Sequence, residues 1–127
     1  MVRENLATWQ KLNVASFLSG GLAGATPDIV GEPYRDGSGR FYGPLIRQPV
    51  LIFAATAEEL TQVLQRAQGR GVRTHLYTNE LFATGNDADN RAAVAAVPTG
   101  DLDLVGIGVH AERREIDKIA KGLKLHG

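Results

Sequence analysis

The fold is decided by the stretch from residue 50 to residue 67, VLIFAATAEELTQVLQRA. Its first six residues are all apolar, a pattern typical of a strand that is covered on both faces. Thr56 and Glu59 have the spacing of a capping box, which predicts that a helix begins there. Four apolar residues then recur at intervals of three and four positions, which predicts a buried stripe on that helix. They are Leu60, Val63, Leu64 and Ala67. A covered strand that leads directly into a helix indicates a layered α/β protein.

The rest of the chain continues this alternation of strands and helices. Apolar periodicity predicts further helices over residues 8–22, 86–97 and 111–123, and further strands over residues 73–77 and 102–109. The helix over residues 8–22 is apolar around much of its girth, so we expect it to be buried on more than one side. Glycine and proline between residues 32 and 43 predict a hairpin-like surface loop.

Length, composition and charge narrow the class of protein. The 127 residues are expected to form one domain, and 14 basic residues balance 14 acidic ones. A protein that binds the phosphate backbone usually has a basic excess, so nucleic acid is a disfavoured partner. There is no cysteine, which excludes disulfides, thiolate metal sites and cysteine nucleophiles. No apolar run approaches the ~20 residues of a membrane helix, and no signal-peptide pattern opens the chain, so we expect a cytoplasmic protein.

Cofactor motifs give no positive prediction. Residues 106–111, GIGVHA, match a dinucleotide fingerprint, but that motif also needs a following strand and an acidic residue about 20 positions later. We interpret Gly106 and Gly108 as positions where a helix packs closely on the sheet. The three histidines, His75, His110 and His126, have no second metal ligand at a useful spacing. We therefore predict neither a metal nor a cofactor.

Polar side chains are concentrated between Thr78 and Asp87, directly after a predicted strand. Open α/β sheets bind ligands beyond the carboxyl ends of their strands. The segment that leaves the first strand carries Lys11, so Lys11 and Glu80 are expected to approach each other in one crevice. The alternative is that the polar residues of this stretch only cap helices and hold a loop in place.

The carboxyl-terminal part of the chain resembles peptidyl-tRNA hydrolase II. The resemblance rests on Leu104–Gly108, Ile116–Ile119 and Gly122–Leu125. It implies an α/β/α sandwich with a mixed four-stranded sheet. Residues 1–4 and 104–109 would be central in that sheet, and residues 50–55 and 73–77 would lie at its edges.

Across its whole length the chain is similar to an uncharacterised bacterial domain-of-unknown-function family with the same fold. The blocks that carry this similarity cover residues 9–15, 31–34, 47–50 and 80–86.

The first helix departs from the hydrolase pattern, Gly-Lys-x-Ala-Ala-Gln-x-x-His-Ala. Lys11 matches the lysine, but Ala15 stands at the glutamine position and Leu18 at the histidine position. The aspartate of that family falls near Asn79 and Glu80, and an asparagine cannot act as a base. The resemblance therefore implies the fold, and it does not carry the standard hydrolytic residues.

Three hypotheses of function remain open. The first is a domain that binds a small anionic ligand, with Lys11 and Glu80 as candidate catalytic groups. Its candidate ligand-binding residues are Asn13, Arg47, Asn79, Thr84, Asn86 and Arg91. The second is a hydrolase of peptidyl-tRNA or a related ester, in which Lys11 holds phosphate and Glu80 positions water. The third is a structural or protein-interaction domain.

The first strand is short, because only Met1 and Val2 precede the turn at Arg3. A short central strand leaves backbone groups of its neighbours unpaired, at about 1–3 kcal/mol each. We expect either that further apolar residues precede Met1 or that water, a rearranged terminus or a second subunit covers the edge. The last alternative would make the protein a homodimer.

Overall fold

The computed structural model describes residues 1–127, which form four α-helices and seven short strands. The helices are α1 (Thr8–Ala25), α2 (Ala57–Gly69), α3 (Asp87–Ala95) and α4 (Arg113–Ile119). The strands are β1 (Val2–Arg3), β2 (Tyr34–Arg35), β3 (Phe41–Tyr42), β4 (Phe53–Ala55), β5 (His75–Thr78), β6 (Leu104–Gly108) and β7 (Lys124–Leu125). The expected hairpin is present as β2 and β3.

The main sheet has the order β5-β6-β1-β4-β7 and is mixed. β1 and β4 are parallel, whereas β6 is antiparallel to β1 and β5, and β7 is antiparallel to β4. The prediction of four strands was wrong, because β7 adds a fifth strand and makes β4 an inner strand. α4 ends at Ile119, short of the expected residue 123, and Gly122 at φ +88° reverses the chain into β7.

The sheet lies between two helical layers, as the sequence predicts. On one face, Val2 and Val105 of the sheet pack against Val14 and Leu18 of α1. On the opposite face, Met1 and Ile107 join a larger apolar cluster with α2 and α4. The α2 stripe predicted from the sequence is buried in this cluster. None of the helices has the length and apolar character needed to cross a bilayer.

The two glycines of β6 allow α1 to approach the sheet closely. A Cβ atom added to Gly106 would lie 2.3 Å from Cγ1 of Val14, and one added to Gly108 would lie 3.3 Å from Cβ of Leu18. Since real Cβ atoms do not approach other atoms to 2.3 Å, a side chain at Gly106 would push α1 away from β6. The interpretation of these glycines as packing positions is confirmed.

Helix α1 is buried on one side only, which contradicts the prediction from its apolar girth. Trp9, Leu12 and Phe17 are 60%, 65% and 59% exposed. The reason is architectural: α1 packs on β1, β5, β6 and the 3-10 turn Pro27–Ile29, which leaves much of these three side chains uncovered. Lys11 is the one charged residue of this helix.

The strand predicted from residue 50 begins only at Phe53. Val50 and Leu51 are 49% and 59% exposed, so the first part of the apolar run is not covered. A strand exists only where a neighbouring strand satisfies its backbone groups. Val50 and Leu51 have no such neighbour, because β1 begins at Val2, which is opposite Ala54.

Candidate functional site

Aromatic side chains fill the crevice that was predicted at the carboxyl ends of β1 and β5. The ring of Phe82 lies 5.1 Å from Tyr77 and 5.8 Å from Trp9, and Phe17 lies 5.8 Å from Tyr77. These edge and tilted contacts join α1 to the turn that follows β5. Sequence reasoning missed this cluster, although Trp9 and Phe17 stand eight residues apart on one helix. Aromatic contacts therefore occupy this end of the sheet, although Trp9 and Phe17 stay largely exposed.

Lys11 points away from this aromatic cluster. It follows Trp9 by two residues, which is about 200° around a helix, so the two side chains leave opposite flanks of α1. The Lys11 ammonium donates to Nε2 of His126 at 3.0 Å. This contact makes Nδ1 of His126 the protonated nitrogen, which donates to the backbone oxygen of Gly127 at 2.7 Å. No motif in the sequence links Lys11 to His126, which lies 115 residues further along the chain.

Glu80 lies on the other flank, in the 3-10 turn Asn79–Ala83, with its side chain exposed. It takes part in no ion pair, and neither does Lys11. Neither an ion pair nor a hydrogen bond joins Lys11 to Glu80, and their approach in one crevice stays a prediction. The turn carries Glu80 beside the aromatic cluster, whereas Lys11 faces the carboxyl terminus.

Two polar side chains of the stretch between Thr78 and Asp87, those of Thr84 and Asn86, hold backbone in place. Asn86 caps α3, accepting the Asp89 N–H at 2.8 Å and donating to its carboxylate at 2.9 Å. The Thr84 hydroxyl donates to the Leu81 carbonyl at 2.9 Å. The N–H of Asn79 donates to the carbonyl of Asp103 at 2.9 Å. These contacts are the ones expected if the polar residues only cap helices and hold a loop in place.

The remaining predicted ligand-binding residues are spread over the surface. Arg91 pairs with Asp87 one turn earlier on α3, and both side chains are exposed. Arg47 lies in the loop before β4, where its N–H donates to the Ile29 carbonyl at 2.8 Å. Gly31 makes room for its side chain, because a Cβ there would lie 2.8 Å from Cγ of Arg47. Asn13 is partly exposed on α1 and makes no side-chain hydrogen bond.

A cavity of about 230 Å³ lies at the opposite edge of the sheet, beyond the amino end of β1. Apolar residues of α1, of the loop before β4 and of the segment after β6 line most of it. Ser19, Gln48 and His110 are its polar side chains. The ammonium of Met1 borders the cavity and donates to the Ile107 carbonyl at 2.8 Å. Burial lowers the pKa of this amine from 8.0 to about 6.

Two ionisable groups between α1 and β5 also respond to burial. Burial lowers the pKa of His75, and the nearby Arg73 lowers it further. Burial raises the pKa of the Tyr77 phenol. No three histidine or carboxylate side chains come together as a group that could hold a metal ion.

The chain resembles one solved structure closely, a protein of unknown function, Atu0240, from Agrobacterium tumefaciens strain C58. The two share 45% sequence identity and superpose with a TM-score of 0.96, over 99% of this chain and 93% of that one. No curated protein matches the chain. The model of a family described as a protein of unknown function, DUF2000, matches residues 1–127. The chain therefore belongs to the DUF2000 family.

Proposed function

We propose that this domain binds a small anionic ligand, and that Lys11 and His126 form the centre of the site. The observation that carries the proposal is the Lys11 ammonium, which lies 3.0 Å from the imidazole of His126 and in no ion pair. A lysine without a carboxylate partner is free to bind an external carboxylate or phosphate. The site proposed here lies on the β7 flank of α1 and not along the turn after β5.

The electrostatics of α1 support the same proposal. Its first turn contains no acidic residue, so the positive end of its dipole is not compensated by a side chain. Its cap residue is Ala7, which offers no side-chain oxygen to the first free N–H groups. Lys11 in the next turn adds a full positive charge at this end, and an anion there would interact with both.

The proposal is tested by thermal unfolding in the presence of inorganic phosphate and of a set of small carboxylates. A ligand at 100 times its dissociation constant stabilises the native state by about 2.7 kcal/mol. We expect at least one such anion to raise the melting temperature of the protein. Lys11→Gln, which keeps much of the side-chain length but removes the charge, should abolish that increase.

Lys118→Gln on α4 is the matched control, since it removes one exposed lysine of the same protein. It should leave the increase in melting temperature unchanged. The proposal is wrong if no anion raises the melting temperature, or if both lysine variants reduce the increase equally.

Hydrolysis of peptidyl-tRNA or a related ester is less well supported by the geometry. The resemblance implies Lys11 and Glu80 as the reacting groups, but the Lys11 ammonium contacts His126, and no hydrogen bond or ion pair joins it to Glu80. We expect no release of peptide from labelled peptidyl-tRNA above background. Turnover by the wild-type protein that Lys11→Ala abolishes would favour hydrolysis.

An interaction domain is the second candidate, and the uncovered face of α1 favours it. Trp9, Leu12 and Phe17 expose apolar surface on a helix with one charged residue. Contiguous exposed apolar patches often mark interfaces between proteins. If this face pairs two copies of the chain, light scattering should give the mass of a dimer, and Leu12→Glu should give the mass of a monomer.

A further inference from the structure

Residues 29–47 form a two-stranded arm. Its base is the bridge between Val30 and Ile46, and its outer part is the pair of strands β2 and β3. At the base the Gly31 N–H donates to the Leu45 carbonyl at 2.9 Å. The same antiparallel register runs from the base to the tip, so the arm is one continuous ribbon. At about 3.3 Å for each residue, its length is roughly 20 Å.

Neither face of the outer arm is covered, and both faces carry aromatic rings. Tyr34 and Tyr42 are opposite each other on one face and are 54% and 51% exposed. Phe41 lies on the other face, 69% exposed, with the guanidinium of Arg35 5.4 Å from its ring centroid. A two-stranded hairpin is marginally stable at best until an apolar face packs against something. The arm is therefore a surface that a partner would stabilise.

The tip of the arm is held in one conformation by Asp36. Its carboxylate accepts the N–H groups of Ser38 and Arg40 at 2.9 and 3.0 Å, and the Tyr42 hydroxyl at 2.8 Å. Gly39 completes the turn with φ +86°. A surface that is ordered before it binds loses less entropy on association, which favours binding.

The exposed side chains of Trp9, Leu12 and Phe17 form a second uncovered surface, which we call the α1 face. From Trp9 to Phe17 it is about 12 Å long, at 1.5 Å for each helical residue, so the arm is long enough to cover it. Glu80 lies beside this face, two residues before Phe82, whose ring contacts Trp9.

The arm and the α1 face have complementary charge. The arm carries Arg40 near its tip, and the α1 face has Glu80 at its edge. Neither side chain takes part in an ion pair within the chain. A second copy of this chain therefore supplies an apolar, positively charged arm for an apolar face with a negatively charged edge.

We propose that the arm of one copy docks on the α1 face of a second copy, and that the two copies exchange arms reciprocally about a two-fold axis. The inference rests on the interaction domain given above as the second candidate function, and it names the partner surface. A two-fold pair uses the same two surfaces on both copies and leaves neither uncovered.

The exposed aromatic area is sufficient for such a pair. Five aromatic side chains of the two surfaces are between 51% and 69% exposed. With about 150–250 Å² for each complete side chain, they expose roughly 600 Å² on one copy. Reciprocal docking would bury roughly 1,200 Å² from these side chains alone, which reaches the lower end of the ~1,200–2,000 Å² of stable interfaces.

The first test is the mass in solution, measured by analytical ultracentrifugation over a range of concentrations. We expect a dimer. Phe41→Glu on the arm should raise its dissociation constant at least ~10-fold, because buried aromatic side chains carry much of the binding energy of an interface. Leu125→Glu is the matched control, since Leu125 is 59% exposed but lies on β7, outside both surfaces. It should leave the dissociation constant unchanged.

A charge exchange tests the contact between the two surfaces. Arg40→Glu and Glu80→Arg should each weaken the dimer, because each variant places like charges together. The double variant should restore the affinity, since it pairs the opposite charges again. Additive weakening in the double variant would contradict a contact between these two residues.

Crosslinking identifies which surfaces meet. The chain has no cysteine, so Ser16→Cys on α1 and Ser38→Cys at the arm tip each introduce one thiol. When the two proteins are mixed with a short bismaleimide, we expect the main product to join one copy of each. Crosslinks of the Ser16→Cys protein only to itself would place α1 against α1 and would overturn the docking of the arm.

The remaining outcomes separate this inference from the interaction domain on which it rests. A monomer at every concentration would overturn the pairing of two copies. A dimer that Leu12→Glu dissociates but Phe41→Glu does not would keep the α1 face as an interface and overturn the role of the arm. A mass that grows beyond that of a dimer would show head-to-tail docking and overturn the reciprocal exchange.

Discussion

The main sheet has two sides along its strand order, one formed by β5 and β6 and the other by β1 and β4. They differ in how completely their strands are paired. On one side, β5 and β6 pair over four positions, and every residue of β6 is buried. On the other side, β1 and β4 pair over two positions, although the apolar run that contains β4 starts three residues earlier. Both sides carry similar apolar sequences. The difference shows that the length of a strand depends on its neighbour as much as on its own residues.

The largest effect is expected at the completely paired side, under α2. Leu64→Ala removes a side chain that is 3% exposed and is in contact with the core formed by β6 and α4. Deletion of a buried leucine costs about 2–5 kcal/mol in the free energy of unfolding. Urea denaturation measures this loss. A change below half a kcal/mol would show that the α2 stripe is not part of the core.

The next effect concerns the close contact between α1 and β6. Gly106→Ala places a methyl group 2.3 Å from Cγ1 of Val14, so we expect it to lower the free energy of unfolding by about 1–3 kcal/mol. Gly20→Ala on the outer face of α1 meets no atom within 4 Å. It should stabilise the protein by about 0.5–1 kcal/mol, because alanine has the higher helix propensity. The same sign for both variants would contradict the packing at Gly106.

The pH dependence of stability tests the incompletely paired side. The amine of Met1 has a pKa of about 6 in the native protein and 8.0 as its ordinary value. Between these values the unfolded chain binds more protons, so the free energy of unfolding should rise by about 1–3 kcal/mol from pH 6 to pH 8.

Acetylation of the Met1 amine should remove this rise in the 127-residue chain. The lowered pKa of His75 gives a further rise with pH, and acetylation should leave that part in place. An acetylated protein with an unchanged pH profile would show that the amine is not buried.

The smallest effect is expected at the rim of the cavity beyond the amino end of β1. Leu51→Ala truncates a leucine that is mostly exposed, so it should change the free energy of unfolding by less than about 0.5 kcal/mol. The comparison with Leu64→Ala shows how differently the free energy of unfolding depends on a leucine at the completely paired side and on one at the incompletely paired side. A loss above 2 kcal/mol would show that Leu51 is covered in solution.

Much of the fold was predictable because its signals are local. The capping box at Thr56 and Glu59 forms as the spacing predicts, with the Thr56 hydroxyl accepting the Glu59 N–H at 3.2 Å. Asn86 caps α3 for the same reason. Such contacts connect residues within one turn, so the rest of the chain hardly influences them.

The candidate site was less predictable, because its contacts join distant parts of the chain. The sequence singled out the polar residues at 79, 84 and 86 as one cluster. The side chains of Thr84 and Asn86 bond to the Leu81 carbonyl and to Asp89 of α3. The turn after β5 places Phe82 rather than Glu80 against α1. No periodicity in a single segment can show which of two neighbouring side chains will point inward from an irregular turn.

The sequence by itself determined the alternation of strands and helices, the capped start of α2, its buried stripe and the need for glycine in β6. Each of these follows from spacing within a few residues or from the size of one side chain. Only the tertiary structure decided that β7 pairs with β4, that Lys11 meets His126 and that a cavity lies between α1, the loop before β4 and the segment after β6. These features depend on backbone pairing and contacts across more than 50 residues, and a chain acquires such contacts only when its elements have packed together.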